Sequence, residues 1–159
     1  METETIRVER DMLGEISLPA GAYYGAQTAR AVENFPITGQ RIRPEMIHSL
    51  ALIKKAAAIV NLDEGALNAR IADAIIKACD EVMAGKWLDQ FPVDPIQGGA
   101  GTSANMNMNE VIANRAIELM GGKKGDYSLV HPNDHVNCAQ STNDVYPSAG
   151  KLTAIRLYK

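Results

Sequence analysis

The chain has 159 residues, 46% hydrophobic and 22% charged, which is typical of one globular domain and excludes a disordered or collagen-like chain. Its net charge of -3 argues against broad binding to nucleic acid or membrane surfaces, because both need a basic excess. The sequence has no signal-peptide or membrane-spanning run, and Cys79 and Cys138 show neither metal-ligand nor disulfide spacing, so we expect a cytoplasmic protein with free thiols.

Glycine and proline divide the chain into an irregular arm and a series of helices. Closely spaced Gly and Pro predict a non-helical arm of short strands and turns over residues 1–43. A helix is predicted from Pro44, with an apolar stripe at Met46, Leu50, Ile53, Ala57 and Val60. A second helix, which Gly85 ends, is predicted from the stripe Ile71, Ile75, Ala78 and Val82.

Two further helices follow a loop that is predicted over residues 86–101. The first runs from about Ser103 to Met120 and contains four asparagines, a density that predicts buried amide hydrogen bonds: Asn105, Asn107, Asn109 and Asn114. The last begins at Asp144, with Pro147 in its first turn, and its apolar face continues to Lys159. Because natural domains rarely end inside an apolar stripe, we expect the chain to be the front part of a longer protein.

Small polar residues stand at the predicted starts of these two helices. One start reads Gly99-Ala100-Gly101-Thr102-Ser103 and the other Gln140-Ser141-Thr142-Asn143. Free backbone N–H groups and the positive end of the helix dipole make such a terminus an anion site, and two of them suit a dicarboxylate. The alternative is that the hydroxyls merely cap the helices, each stabilising its helix by ~1 kcal/mol.

Two other motifs give weaker functional signals. Gly99, Gly101 and Ala104 fit a GxGxxA dinucleotide fingerprint, but no buried strand precedes them and no βαβ alternation surrounds them, so the signal for nucleotide binding is weak. His131 and His135 are four residues apart, but Pro132 breaks the helical geometry. No metal site is therefore predicted.

Five strings, in this order and spacing, resemble the N-terminal portion of the aspartase/fumarase superfamily: RDMLGE, AYYGAQTARAVENFPI, DQFPVD, QGGAGTSANMNMNEVIANRAIELMG and HPNDHVNCAQSTND. The resemblance covers the chain from about Val8 onward. Class II fumarases carry a TGSGT-type string and usually Ser-Ser-Asn, where this chain reads GGAGTS and Ser141-Thr142-Asn143, so it is more similar to the aspartate ammonia-lyases. The alternatives are a fumarase-like hydratase and, from another class, a noncatalytic helical interaction module.

The resemblance implies a mainly α fold, with an N-terminal domain over residues 1–143 that carries a short-stranded, irregular arm. It implies that residues 144–159 are the start of the first helix of a central helical bundle. It also implies a homotetramer that eliminates ammonia reversibly from L-aspartate to give fumarate. The chemistry needs no cofactor, and Mg²⁺ is expected as an activator.

Carried over residue by residue, the family pattern puts Thr102, Ser141 and Thr142 around the β-carboxylate of the substrate and Asn143 near its amino group. These positions coincide with the two helix starts. The family's base serine lies on a loop whose sequence does not occur in this chain, and neither does its Thr-His segment. The resemblance therefore assigns no catalytic base here, and residues 1–159 alone are expected to be inactive.

In the fumarases, a second, noncatalytic anion site is formed by a segment that matches another part of this chain. The matching residues are His131, Asn133 and Asp134. The resemblance therefore adds these three residues as a second candidate anion site.

Overall fold

The computed structural model describes residues 5–158. It consists mainly of α-helices that pack around a central helix. Its elements are β1 Ile6–Asp11, β2 Gly14–Pro19, α1 Ala26–Asn34, α2 Pro44–Asp63, α3 Ala69–Met83, α4 Thr102–Leu119 and α5 Thr142–Tyr158. β1 and β2 form an antiparallel pair, with Val8 opposite Ser17. The prediction of a mainly α fold with a short-stranded arm is confirmed. Residues 1–4 of the predicted domain and Lys159 of the predicted bundle helix lie outside the described residues.

The prediction that residues 1–43 are non-helical is wrong, because α1 lies within them. The Glu110 carboxylate of α4 accepts the N–H groups of Gly25, Gln27 and Thr28 at 2.8, 2.9 and 3.1 Å. Burial raises the pKa of Glu110, and these N–H groups oppose that shift. The free N–H groups at the start of α1 are thus satisfied by a carboxylate far away in the sequence, which local glycine spacing does not reveal.

α2 begins at Pro44, as predicted, but only Leu50 of the predicted stripe is buried. Val60 is 56% exposed, and Ala57 is only half-buried. The residues buried on α2 are Ile47, Ser49, Leu50, Ala51, Lys54, Ala58 and Asn61. The prediction failed because polar Lys54 and Asn61 occupy the core face, while apolar residues flank it.

α3 matches its prediction, since all four residues of its stripe are buried. The helix ends as the sequence predicts. The Gly85 N–H donates to the Val82 carbonyl at 2.9 Å, and the Lys86 N–H donates to the Glu81 carbonyl at 3.1 Å. This pair of bonds is the Schellman motif, and it needs the left-handed conformation that Gly85 adopts at φ 86°.

α4 is the central helix, and every residue from Ala104 to Asn114 is buried. Met108, Ile112 and Ala116 lie in the core, whereas Leu119 is 40% exposed. All four asparagines are buried, as their density predicted. Their amide nitrogens donate hydrogen bonds, whereas the Oδ1 atoms of Asn105, Asn107 and Asn109 accept none within residues 5–158.

α5 begins at Thr142, two residues earlier than predicted, so Pro147 lies in its second turn instead of its first. The earlier start is stabilised by Ser141, whose Oγ accepts the Asn143 N–H at 3.2 Å. α5 packs on α2 and α4 through buried Val145 and Ala149. The division of the chain into residues 1–143 and 144–159 stays a prediction. Within residues 5–158, no helix has the length and apolar character to cross a membrane.

Candidate functional site

The starts of α4 and α5, each of which the sequence predicts as an anion site, lie side by side. Buried Gly101 immediately precedes α4, and the Tyr146 ring of α5 lies so close to it that a Cβ there would overlap the ring. One turn into α4, the Asn105 Nδ2 donates to the Thr142 Oγ1 at 3.1 Å. The positive ends of two helix dipoles therefore meet at one place on the molecule.

At the start of α4, the alternative that Thr102 or Ser103 caps the helix is wrong. The N-cap residue is Gly101, which adopts a left-handed conformation at φ 83° and offers no side chain. The Gln97 Oε1 accepts the Ala104 N–H at 2.8 Å and so satisfies one of the first-turn donors. Thr102 is the first helical residue and is exposed.

At the start of α5, the three predicted residues have different surroundings. Ser141 caps the helix through the bond to the Asn143 N–H, so the cap is Ser141 and not Thr142 or Asn143, the two residues that the capping alternative considers here. Ser141 and Asn143 are exposed, and Thr142 is half-buried and bonded to Asn105. Exposed polar groups thus surround the helix start, and Asn105 holds the Thr142 side chain in place.

A cluster of polar side chains, buried on α2 and α4 and half-buried in the turn, lies beneath this helix start and is centred on the Asn137 amide. The Asn137 Oδ1 accepts hydrogen bonds from the Lys54 Nζ at 2.7 Å, the Asn105 Nδ2 at 3.1 Å and the Asn109 Nδ2 at 3.3 Å. The Lys54 Nζ also donates to the Gln140 Oε1 at 2.9 Å. We call these five residues the Asn137 cluster. Sequence reasoning missed Lys54 and Asn137; the signal was a lysine on the same helical face as Leu50, Ala51 and Ala58.

The electrostatics of the cluster are dominated by Lys54, whose side chain is fully buried. Within residues 5–158, Lys54 forms no ion pair, and its two acceptors are neutral amides. Burial disfavours the charged ammonium and lowers the pKa of Lys54 to about 7. The start of α5 therefore lies above a lysine that changes charge near neutral pH.

The second predicted site lies in a different cleft. His131 precedes a π-helical turn, Pro132–Val136, and its Nδ1 accepts the N–H groups of Asn133 and Asp134, each at 3.2 Å. His131 and Asn133 line a cleft that also contains the carboxylates of Glu9 and Glu110. None of Thr102, Ser141, Thr142 and Asn143 lines this cleft. An anion-binding role for His131, Asn133 and Asp134 stays a prediction.

Comparison with known proteins gives consistent results. The family model described as lyase matches residues 14–158. An aspartate ammonia-lyase from a Bacillus species is 60% identical over 152 residues, covering 96% of this chain and 32% of that protein. A class II fumarate hydratase from Thermosynechococcus vestitus is 57% identical over 155 residues, covering 98% of this chain and 33% of that protein.

A solved structure has nearly the same fold as this chain. The fumarate lyase:delta crystallin from Brucella melitensis, in native form, matches with a TM-score of 0.94 and 50% identity, over 96% of this chain and 36% of that one. The chain thus spans about a third of the length of the relatives that it matches.

Proposed function

The chain belongs to the lyase family, whose model matches residues 14–158, and we propose that it supplies the carboxylate-binding part of an aspartate ammonia-lyase. In this proposal, Thr102, Ser141 and Thr142 bind the β-carboxylate of L-aspartate, and Asn143 lies near its amino group. The observation that carries the proposal is the meeting of two helix starts, joined by the hydrogen bond between Asn105 and Thr142. The 60% identity to an aspartate ammonia-lyase supports the choice of reaction.

The reaction develops negative charge where these helices begin. Removal of the Cβ proton leaves its electron pair on the adjacent carboxylate as an aci-carboxylate dianion. The Cα–N bond then breaks, ammonia leaves, and the Cα–Cβ double bond of fumarate forms. Preorganised hydroxyls and backbone N–H groups that bind the dianion more strongly than the ground state lower the barrier to proton removal. The base itself is expected outside residues 1–159.

The choice of an ammonia-lyase over a hydratase depends on residues at both helix starts. The chain reads Ser141-Thr142-Asn143, the form that resembles the ammonia-lyases, and GGAGTS before α4. A fumarate hydratase remains the second candidate, because a hydratase relative is 57% identical to this chain. The two reactions share the dianion and differ in the group that leaves, which is ammonia in one and water in the other.

Assembly, location and metal dependence are part of the same proposal. We propose a cytoplasmic homotetramer, with Ile155 and Leu157, which α5 exposes, packed against helices of other subunits. Mg²⁺ is proposed as an activator only. Within residues 5–158, no three His, Cys, Asp or Glu side chains come together to hold a metal ion, so no ligand is assigned and no step goes through the metal.

The test is an assay of the complete protein that carries this chain. Initial rates of fumarate formation are measured from L-aspartate and from L-malate, with ammonia quantified in the first reaction. We expect fumarate and ammonia in equal amounts from L-aspartate and none from L-malate. Turnover of L-malate alone would establish the hydratase instead. Turnover of neither substrate would contradict the proposed function.

A further inference from the structure

The turn that leads into α5 is held in place by α2 as well as by α4. The Lys54 Nζ bonds the side chains of Asn137 and Gln140, and two turns further along α2 the Asn61 Nδ2 donates to the Cys138 carbonyl at 3.0 Å. Between them, Ala139 adopts a left-handed conformation at φ 55°, which is unfavourable for a residue with a Cβ. Such a conformation persists only where its surroundings hold it, and Lys54 bonds the residues on both sides, Asn137 and Gln140, which also bond within the turn.

This turn is connected to the proposed substrate-binding residues by hydrogen bonds as well as by the backbone. Ser141 follows Gln140 directly. The Asn105 Nδ2 donates both to the Asn137 Oδ1 and to the Thr142 Oγ1, each at 3.1 Å. The ammonium of Lys54 is therefore linked to the Thr142 hydroxyl through two amide side chains.

The charge on Lys54 has no counterion among the described residues. From α3 it faces the Cys79 thiol, whose pKa is raised by burial and which is therefore neutral at pH 7. α4 and the turn present only the amides of the Asn137 cluster, and no carboxylate of these elements or of α5 pairs with Lys54 within residues 5–158. A buried, uncompensated positive charge is stabilised by any anion that binds nearby.

We propose that Lys54 is a positioning residue for the carboxylate-binding site, which fixes the 137–140 turn and supplies positive charge beneath Ser141, Thr142 and Asn143. The Asn137 and Gln140 amides transmit both effects. The nature of the anion, a dicarboxylate, rests on the proposed function, whereas the fixing of the turn does not. It follows that the site works best with Lys54 protonated and loses affinity as the pH rises through the pKa near 7.

The first experiment measures the turn directly and needs no ligand. Backbone amide shifts of residues 137–143 are followed by NMR from pH 5.5 to 8.5 in the chain, in Lys54→Met and in a control, Lys55→Met. Lys55 is the neighbouring lysine, is partly exposed and pairs with Asp80 at 2.6 Å. His131 and His135, which precede the turn, are unchanged in all three proteins.

We expect Ser141, Thr142 and Asn143 to show a transition near pH 7 in the wild type and in Lys55→Met that is missing in Lys54→Met. If Lys54→Met keeps the whole transition, or if the wild type shows none, the proposal is wrong. Should Lys54→Met unfold, the same comparison is made with Lys54→Arg. The guanidinium that this change introduces stays charged throughout the range, so it should hold the amides at their low-pH positions.

The second experiment adds succinate, an unreactive dicarboxylate, and measures its affinity by calorimetry at pH 6 and pH 8. Wild-type affinity should fall about fivefold over this range if binding raises the pKa of Lys54, about 7 in the free protein, by about one unit. Lys54→Met should bind weakly at both pH values, and Lys54→Arg should bind equally well at both. Equal wild-type affinities at pH 6 and pH 8 would overturn the electrostatic role. If the wild type binds no succinate at all, the carboxylate-binding function is contradicted, and the amide shifts still decide the role of Lys54.

Discussion

The Nζ of Lys54 lies 2.7 Å from the Oδ1 of Asn137, and this hydrogen bond joins the middle of α2 to the turn that begins α5. The same oxygen accepts hydrogen bonds from Asn105 and Asn109 of α4. Donors from α2 and α4 thus share one acceptor of the turn. Removing Lys54 would leave the Gln140 Oε1 without its donor, and removing Asn105 would leave the Thr142 Oγ1 without its donor.

Asn105 and Asn109 provide the simplest test of this buried polar network. Replacing either by Leu should lower the free energy of unfolding by ~1–3 kcal/mol, because a buried partner loses its hydrogen bond. Urea denaturation measures the change, and Asn34→Leu at an exposed position of α1 is the control, which should stay within about 0.5 kcal/mol of the wild type. If both buried variants unfold at the same urea concentration as the wild type, the network contributes nothing to stability.

Lys54 should make the stability of the protein depend on pH. Its pKa is about 7 in the folded chain and near the ordinary value of 10.5 in the unfolded chain. Between these values the unfolded chain binds more protons, so the free energy of unfolding rises with pH, by at most about 1.4 kcal/mol per pH unit. Lys54→Met removes this contribution, whereas Lys55→Met keeps it.

The measurement is urea unfolding of the three proteins from pH 7 to pH 8.5. The upper limit avoids the titration of Cys79 in the unfolded state, which acts in the opposite direction because burial raises the pKa of that thiol in the folded state. The difference in unfolding free energy between wild type and Lys54→Met should grow steadily with pH. A constant difference would mean that Lys54 is not deprotonated in this range.

Gly101 should not tolerate a side chain, because α5 packs directly against it. Gly101→Ala combines a strained φ of 83° with overlap between the new Cβ and the Tyr146 ring. Gly85→Ala is a matched control, since Gly85 has a similar φ of 86° and open space around it. We expect Gly101→Ala to be less stable than Gly85→Ala by about 1–3 kcal/mol, the usual cost of overpacking.

A second variant separates the two contributions at position 101. Adding Tyr146→Ala to Gly101→Ala removes the ring and should recover part of the lost stability, relative to the sum of the two single changes. Thermal unfolding of the four proteins completes the cycle. Strict additivity would show that the two helix starts are not in contact.

Thr102 and Ser141 should affect catalysis more than stability in the complete protein. Thr102→Ala or Ser141→Ala should lower kcat/KM for L-aspartate by about 10²–10³-fold, as expected for the loss of one donor to a developing oxyanion. Ser141→Ala should also lose about 1 kcal/mol of stability, because Ser141 caps α5. Ser148→Ala, at an exposed position of α5, is the control. If both variants keep nearly the wild-type kcat/KM, Ser141 acts only as a helix cap and Thr102 has no role in catalysis.

The sequence predicts those features that depend on local pattern. α3, with its regular apolar stripe and Gly85, was predicted in full, because its core face is wholly apolar and its end depends on one glycine. The two polar helix starts were also evident, since small hydrogen-bonding residues cluster there. α1 was missed because the acceptors for its first N–H groups come from Glu9 and Glu110. Glu110 lies outside residues 1–43, and Glu9 is 17 residues from its donor Ala26, so local spacing shows neither.

Lys54 was missed for a related reason. A lysine in an amphipathic helix normally marks the exposed face, and only the packing of α2 against the turn at Asn137 and Gln140 shows that this one is buried. Its role depends on residues more than 80 positions away, which periodicity cannot connect.

The most direct test of the central claim, that the starts of α4 and α5 together bind one dicarboxylate, is a succinate titration of the ¹⁵N-labelled chain at pH 6. We predict that the amides of Thr102, Ser103, Ser141, Thr142 and Asn143 shift together and follow a single saturation curve. Shifts confined to one helix start, shifts only around His131 and Asn133, or no shifts at saturating succinate would contradict it.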